Sequence, residues 1–533
     1  MNCTSTRLPY RQTGAFSKIA MDYIDQADAL KPFFALPPTL QGLQKAIENR
    51  KQFATNRDEM VKELKKQYES AITSEKVKAN IELLSSADTF TITTAHQNNI
   101  FTGPLYFIYK IVHAIKLADS LKTSLPAYNF VPIFYIGSED ADLDELNHIY
   151  LGGEKLVWQT QQTGAVGRMK VDKDLVKLIG LMEGQLGVLP KGKEFMAMLR
   201  EHYKEGESIS QATFHLVNSL FAEYGLVIVL PDNPALKRQM IPLFKDELLH
   251  QHSAAIIEKA AGQLEAAGYK VQASGREINL FYLEEGIRNR IELKNGQYRV
   301  VDTKLVFTRE EILQELESHP ERFSPNVILR GLYEETILPN IAFIGGGGET
   351  AYWLQLKDLF AHYAIPYPVL ILRNSFLVVE KKWQELIGKL NLTIEDFFLP
   401  EQELLNKLVL RDSKNDVKLN GSLDEVEKLY ESFKKQAAAI DTTLEKHVDS
   451  LKSKTVYRLQ ELEKKMLRAE KRKFSDQQRQ IHTIKSHLFP GNGLQERVEN
   501  ITYYYARWGA SFLKTLYDNS LGLEQEFAIL SEQ

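Results

Sequence analysis

The chain has 533 residues, with 66 Lys plus Arg against 70 Asp plus Glu, a formal net charge of −4. That balance argues against a dedicated nucleic-acid binder, whose phosphate contacts usually need a clear basic surplus. With 44% hydrophobic and 26% charged residues, the composition is that of a folded chain and not a disordered one. One cysteine, Cys3, excludes an internal disulfide and any Cys-built zinc or iron–sulfur centre. Cys3 lies in a polar stretch and reads as incidental. No apolar signal-peptide core opens the chain, and apolar runs such as 225–230 have strand length. The expectation is a soluble cytoplasmic protein of several domains, without nucleic-acid or membrane partners.

Residues 1–85 read as a helical segment packing on a core: Leu43, Ile47, Phe53, Met60, Leu64 and Tyr68 recur at about helical spacing. Residues 89–94 (TFTITT) are β-branched and predict a strand. A turn at His96-Gln97-Asn98-Asn99 follows, and Thr102-Gly103-Pro104 opens a helix to about Leu121. Residues 131–137 are almost wholly apolar, as in a buried parallel strand, and end in the acidic run Ser138–Glu145. Strand–helix–strand is the unit of a doubly wound α/β fold. The core therefore spans 86–390, with an insertion at about 150–210 and a β-rich insertion at about 271–305, where Lys294-Asn295-Gly296 marks a hairpin. Further strands are predicted at 225–230, 341–344 and 369–372. From Val426 to Ala469, apolar residues step by three or four through charged sequence, the pattern of a coiled coil, so 391–487 forms a separate helical domain. As one straight helix, 426–484 would run roughly 90 Å. Its seam needs a second chain or a hairpin partner. Residues 488–533 are a helical segment returning to the core.

Three loops carry candidate chemistry. His96, Gln97, Thr102 and Gly103 sit between a strand and a helix, where α/β sheets collect ligands and where helix-start N–H groups favour anions; the plain alternative is that His96 and Thr102 cap a turn and a helix. Glu139, Asp140 and Asp142 follow the buried strand and would hold an amine, accept a proton or coordinate Mg²⁺, although acidic residues at a helix start are ordinary caps. Gly345, Gly346, Gly347 and Gly348, with Glu349, form a loop that lets backbone approach a ligand. It is neither a P-loop nor a G-x-G-x-x-G fingerprint, so by itself it marks a tight turn. Arg330 and Arg373 would clamp carboxylate or phosphate, or sit in structural ion pairs. Tyr352 and Trp353 read as partly core. No metal-ligand motif is present.

Taken together, these segments are more specific. His96-Gln97, Phe101 to Tyr106 (FTGPLY) and Lys110 resemble the first signature of the BshC family, the cysteine ligases of bacillithiol biosynthesis. So do Val131 to Phe134, Glu139-Asp140-Ala141-Asp142 with Asn147-His148, Tyr224-Gly225-Leu226, Asn279-Leu280-Phe281, and Ser324-Pro325-Asn326 with Arg330. Ile344 to Glu349 with Tyr352-Trp353, and Leu488-Phe489-Pro490 with Gln495-Glu496-Arg497, complete the resemblance across nearly the whole chain. Two departures stand out: Ala141 occupies a position that is often histidine in the family, and Gly347 one that is often proline.

The resemblance implies a Rossmann-like core, akin to nucleotidyltransferases and class I synthetases, with a C-terminal coiled coil supporting a homodimer. It implies joining of cysteine to glucosaminyl-malate. Analogy with the fold relatives adds carboxyl activation by ATP or another nucleotide, through an adenylate, with Mg²⁺ as a companion. In that scheme His96, Asp140, Asp142 and Glu349 are catalytic. Gln97, Thr102, Gly103, Glu139, Arg330, the four glycines, Tyr352, Trp353 and Arg373 bind substrate or nucleotide. The competing readings are a nucleotide-binding coiled-coil scaffold or sensor, and a nucleotidyltransferase acting on another amine and acid.

Overall fold

A computed structural model describes residues 1–533, the side chain of Asn420 excepted. Residues Met1–Val378 with Gly493–Gln533 form one compact unit and Val379–Asn492 a second.

The first element corrects the all-helical expectation for the N-terminus: Cys3–Pro9 is a strand, β1. Helices follow, including Leu40–Lys51, Arg57–Tyr68 and Glu75–Leu83, and bury Leu43, Ile47, Met60, Leu64 and Tyr68 as their spacing requires. Then come β2 (Thr89–Gln97), the helix Tyr106–Ser124 and β3 (Asn129–Gly137). His96 and Gln97 thus belong to the strand end, not to a turn. The helix starts at Tyr106, two residues beyond Pro104, because Phe101, Thr102 and Gly103 all have positive φ and leave the helical path.

The 150–210 insertion holds the hairpin β4 (His148–Leu151) and β5 (Glu154–Val157) and the helices Lys173–Leu186 and Gly192–His202. Next come β6 (Val227–Val229) and an antiparallel sheet of β7 (Leu280–Glu284), β8 (Ile287–Lys294), β9 (Gln297–Val300), β10 (Val306–Phe307) and β11 (Phe323–Pro325). The predicted hairpin turn is present: Asn295 and Gly296 take φ of 53° and 74°, the two left-handed residues that match strand twist.

β12 (Asn340–Gly345) and β13 (Val369–Leu372) complete the central sheet, whose order is β13-β12-β2-β3-β6 with every neighbouring pair parallel. Helices cover both faces, which is why β3, β6, β12 and β13 read as apolar runs, while β2 alternates threonine with Phe90 and Ile92 and buries Thr91 and Thr93 against the Asn340 side chain. The chain builds outward from β2 through β3 to β6, then returns to the other side of β2 with β12 and β13. The strand order reverses between β2 and β12, the crevice where open α/β sheets bind ligands.

Two strands lie beyond the last one expected: β14 (Ser375–Val379) and β15 (Glu526–Glu532). β15 pairs with β1 along its full length, Cys3 opposite Glu532 and Pro9 opposite Glu526, so the C-terminal segment is not wholly helical.

In the second unit the heptad seam does not run as one rod. Helices Asn420–Ile440 and Leu444–Lys471 fold back on each other around an extended Asp441. Tyr430 Oη meets Thr455 Oγ1 at 2.8 Å, Lys434 meets Asp449 at 2.7 Å and Lys452 meets Glu431 at 2.8 Å, an antiparallel register.

Candidate active site

The loops at the strand-order reversal enclose a pocket of about 310 Å³, at the small end for ligand sites. β2 contributes Ala95, His96 and Gln97, β3 Gly137, and the helix Tyr106–Ser124 Tyr106 and Lys110. The segment after β12 contributes Gly346, Gly347, Gly348, Glu349 and Tyr352, and Arg373 follows β13. Arg497 and Val327 complete the lining. The histidine segment and the glycine loop, about 250 positions apart, therefore line one cavity.

Its floor is cationic. Lys110 is buried, donates to the Ala95 carbonyl at 2.9 Å and meets Glu349 Oε2 at 2.5 Å. Burial pulls its pKa down, and Glu349 only partly offsets this. Glu349 also accepts from the Gly346 N–H at 2.8 Å, so this carboxylate holds both the loop and the lysine. Arg373 donates to Glu496 at 2.6 Å and stands 5.2 Å from the Tyr106 ring centre, while its Nε is buried without a partner. Although burial opposes its charge, Glu496 outweighs that and keeps the guanidinium firmly protonated.

His96 rests edge-on against Tyr106 and Phe107, and its Nε2 is also buried without a partner. Burial first, then the Lys110 and Arg373 charges, hold its pKa well below the usual histidine value. It is a neutral imidazole at neutral pH. An anion bound beside the two cations would reverse the electrostatic part of that shift. Two orphaned polar nitrogens in one pocket are costly unless a ligand meets them.

The glycine loop is not a free turn. Its helix begins at Gly347, not near Thr350, and none of the four glycines has positive φ. Gly345 is the sterically demanded one: a Cβ there would stand 3.0 Å from the Phe343 ring and 3.1 Å from Glu349 Cβ.

Other candidates lie outside the lining. Asp140 is buried and held by both terminal nitrogens of Arg330, with Arg288 at 3.6 Å. Burial would raise its pKa, but the two arginines and a hydrogen bond from Gln97 bring it below the normal carboxylate range. Asp140 and Arg330 thus satisfy each other and brace Gln97. Glu139 is buried against Lys237. Asp142 is exposed at the start of a one-turn helix. Thr102 and Gly103 are buried in the positive-φ loop, where a Gly103 Cβ would meet Asn99 Cβ at 2.7 Å. Trp353 packs on Phe343 at 4.5 Å in the core. Ala141 is half-buried beside Asp140 and does not line the pocket.

Residue-by-residue reading passed over Lys110, Tyr106 and Arg497 as site residues. Tyr106 and Lys110 are four apart, so they share one helix face, and a lysine in the run YFIYKIV was the available signal. Arg497 had no local signal.

Fold and pocket define a Rossmann-like small-molecule-binding protein with a coiled-coil appendage. A family model described as "Bacillithiol biosynthesis BshC, N-terminal Rossmann-like domain" matches residues 1–374, and its C-terminal coiled-coil counterpart matches 376–532. Among similar proteins, one from Flavobacterium johnsoniae is 39% identical over 98% of this chain and 99% of its own, and is named "Putative cysteine ligase BshC". Proteins of the same name from Flavobacterium psychrophilum and Cytophaga hutchinsonii are each 38% identical, over 98% and 95% of this chain and 98% and 94% of their own lengths. The chain belongs to the BshC family, as its motifs implied. Among the described residues no helix is long and apolar enough to cross a membrane.

Proposed function

We propose that this protein is a ligase that forms an amide between the carboxyl group of cysteine and the amine of glucosaminyl-malate, with a nucleotide such as ATP activating the acid. One observation carries the reading. Lys110, Arg373 and Arg497 line one pocket with an unpartnered His96 nitrogen at the sheet's crossover, a site suited to an anion whose charge rises during acyl transfer. The orphaned His96 Nε2 and Arg373 Nε fit the non-bridging oxygens of a phosphate group. When bound, the nucleotide supplies a leaving group for the carboxylate.

The chain's own residues then bind and orient. Arg373 and Arg497 neutralise anionic oxygens, and neutral His96 hydrogen-bonds to them. Lys110 holds Glu349 in place, where its carboxylate takes the proton that the attacking amine loses. Gln97, braced by Asp140 and Arg330, positions the substrate. Asp140 is a positioning residue in this scheme. Glu349 is the pocket's one carboxylate among the lining residues and is already engaged, so Mg²⁺ would be carried by phosphate oxygens and water.

Incubation of the purified protein with cysteine, glucosaminyl-malate, ATP and Mg²⁺, with mass detection of the thiol product and the spent nucleotide, tests this. Folded protein that gives no product across several nucleotides and metals overturns it. The partner we propose is a second copy joined through the hairpin, on which Leu429, Phe433, Ile440, Tyr457 and Leu462 are exposed. Sedimentation of Leu429→Glu/Phe433→Glu is expected to give monomer where the parent gives dimer.

A further inference from the structure

A second cavity, of about 410 Å³, opens elsewhere in the first unit, lined by Phe53, Met240, Leu243 and Ile365 together with Gln239, Asp246, His252 and His362. The helices Ile241–His250 and His252–Ala266 are separated only by Gln251, whose φ of 51° turns the chain. On the buried side, Ser253 Oγ donates to Glu247 at 2.8 Å and locks the two helices together. The residues just before those two, Asp246 and His252, are thereby set beside each other at the cavity. His362, the last residue of the helix Lys357–His362, comes in from more than 100 positions away. Its ring centre lies 4.9 Å from that of His252, and its Nε2 is 4.0 Å from Asp246 Oδ2.

We propose that Asp246, His252 and His362 form a divalent transition-metal site of the two-histidine, one-carboxylate kind, separate from the ligase pocket. One ligand atom from each lies within 4.8 Å of the others. Metal bonds of about 2.0–2.2 Å need only rotation of these half-buried and exposed side chains through about an ångström. Tyr363 Oη donates to Asp246 Oδ2 at 2.9 Å and orients the carboxylate as outer partners of metal ligands do.

A second observation points to a ligand in the same place. Gln239 lines this cavity, and its Nε2 is buried without a hydrogen-bond partner. Three protein ligands leave a coordination position open toward the cavity, where water or one small anion would accept from that amide. Two imidazoles select zinc-like ions over Mg²⁺ and Ca²⁺, which prefer all-oxygen shells. The metal would also tie the His362 helix to the Asp246–His252 corner.

The test uses full-length protein freed of any affinity tag and stripped with chelator. It is dialysed against Zn²⁺ and assayed for bound metal, and Co²⁺ is used as a spectroscopic probe. One equivalent of Zn²⁺, visible d–d bands with Co²⁺ and a raised melting temperature are expected, with no such effect from Mg²⁺. Asp246→Asn, His252→Ala and His362→Ala should each lose the bound equivalent while keeping the parent circular dichroism. Tyr363→Phe should weaken binding about tenfold. His202→Ala, from the stacked His202–His215 pair elsewhere, should bind as the parent does. No stoichiometric Zn²⁺ in the parent, or an equivalent that survives all three ligand substitutions, overturns the proposal. Neither readout depends on ligase turnover.

Discussion

Asp140→Asn separates a positioning carboxylate from a catalytic one. In the parent, Asp140 takes both terminal nitrogens of Arg330 and faces Arg288 at 3.6 Å. The substitution keeps the shape and removes the charge, leaving two guanidinium groups near each other with one amide between them. Breaking a buried pair from one side costs about 3–5 kcal/mol. Arg330 keeps 22% of its side chain accessible, so water recovers part of the loss and the lower end, about 3 kcal/mol, is expected. Urea unfolding of the parent, Asp140→Asn, Arg330→Gln and the double variant measures it. The double variant should fall short of the summed single effects by about 2 kcal/mol, because each single substitution strands the other's partner. Product formation in Asp140→Asn should decline through weaker substrate binding, by way of Gln97, and not through an abolished turnover rate. Parent-like unfolding combined with abolished turnover would refute this reasoning and return Asp140 to the catalytic set.

Three further outcomes follow from particular contacts. His113 is buried neutral: Nε2 lies 2.7 Å from the Gly522 carbonyl and Nδ1 accepts from the Asn374 N–H at 3.1 Å, so protonation breaks that second bond. Burial, with Arg373 adding to it, pushes its pKa down to about 4. Its contribution is therefore complete above pH 6.5 and lost as pH falls toward 4, a span of about 3 kcal/mol. Melting curves across that range should be flatter for His113→Gln than for the parent, and equal slopes would refute the assignment. Gly347 is the first residue of its helix and follows an extended Gly346, the setting that suits proline, so Gly347→Pro should stabilise by about 0.4–1 kcal/mol in urea unfolding. Asn500 is buried and donates from Nδ2 to the carbonyls of Phe101 at 2.9 Å and Gly103 at 2.5 Å. Asn500→Ala should cost about 3 kcal/mol by leaving both acceptors of the positive-φ loop unmet and removing the Oδ1 cap on the Thr502 N–H, and Asn500→Asp should restore the cap alone, because an ionised carboxylate cannot donate to the two carbonyls.

Some of the site was legible before any fold was known. The glycine loop and the His96 segment stood out because each ends a predicted strand, and strand ends are where a parallel sheet presents its ligands. What remained hidden depended on partners distant in sequence. The run Glu139–Glu145 reads as crowded carboxylates, yet Glu139 meets Lys237 and Asp140 meets Arg330, about 100 and 190 positions away. Charge is visible in a sequence; its neutralisation is not.

The same division holds for the whole molecule. The apolar runs of β3 and β12 and the stepping from Val426 to Ala469 determined element type by themselves, because backbone periodicity is a local property. Only the tertiary structure paired the polar β1 with β15, folded the helical seam back around Asp441, and brought Lys110, Arg373 and Arg497 into one pocket with His96. The β1–β15 pairing and the pocket join segments hundreds of residues apart, and even the hairpin closes through side chains 15 to 25 positions apart, so none of these contacts is written in a local period.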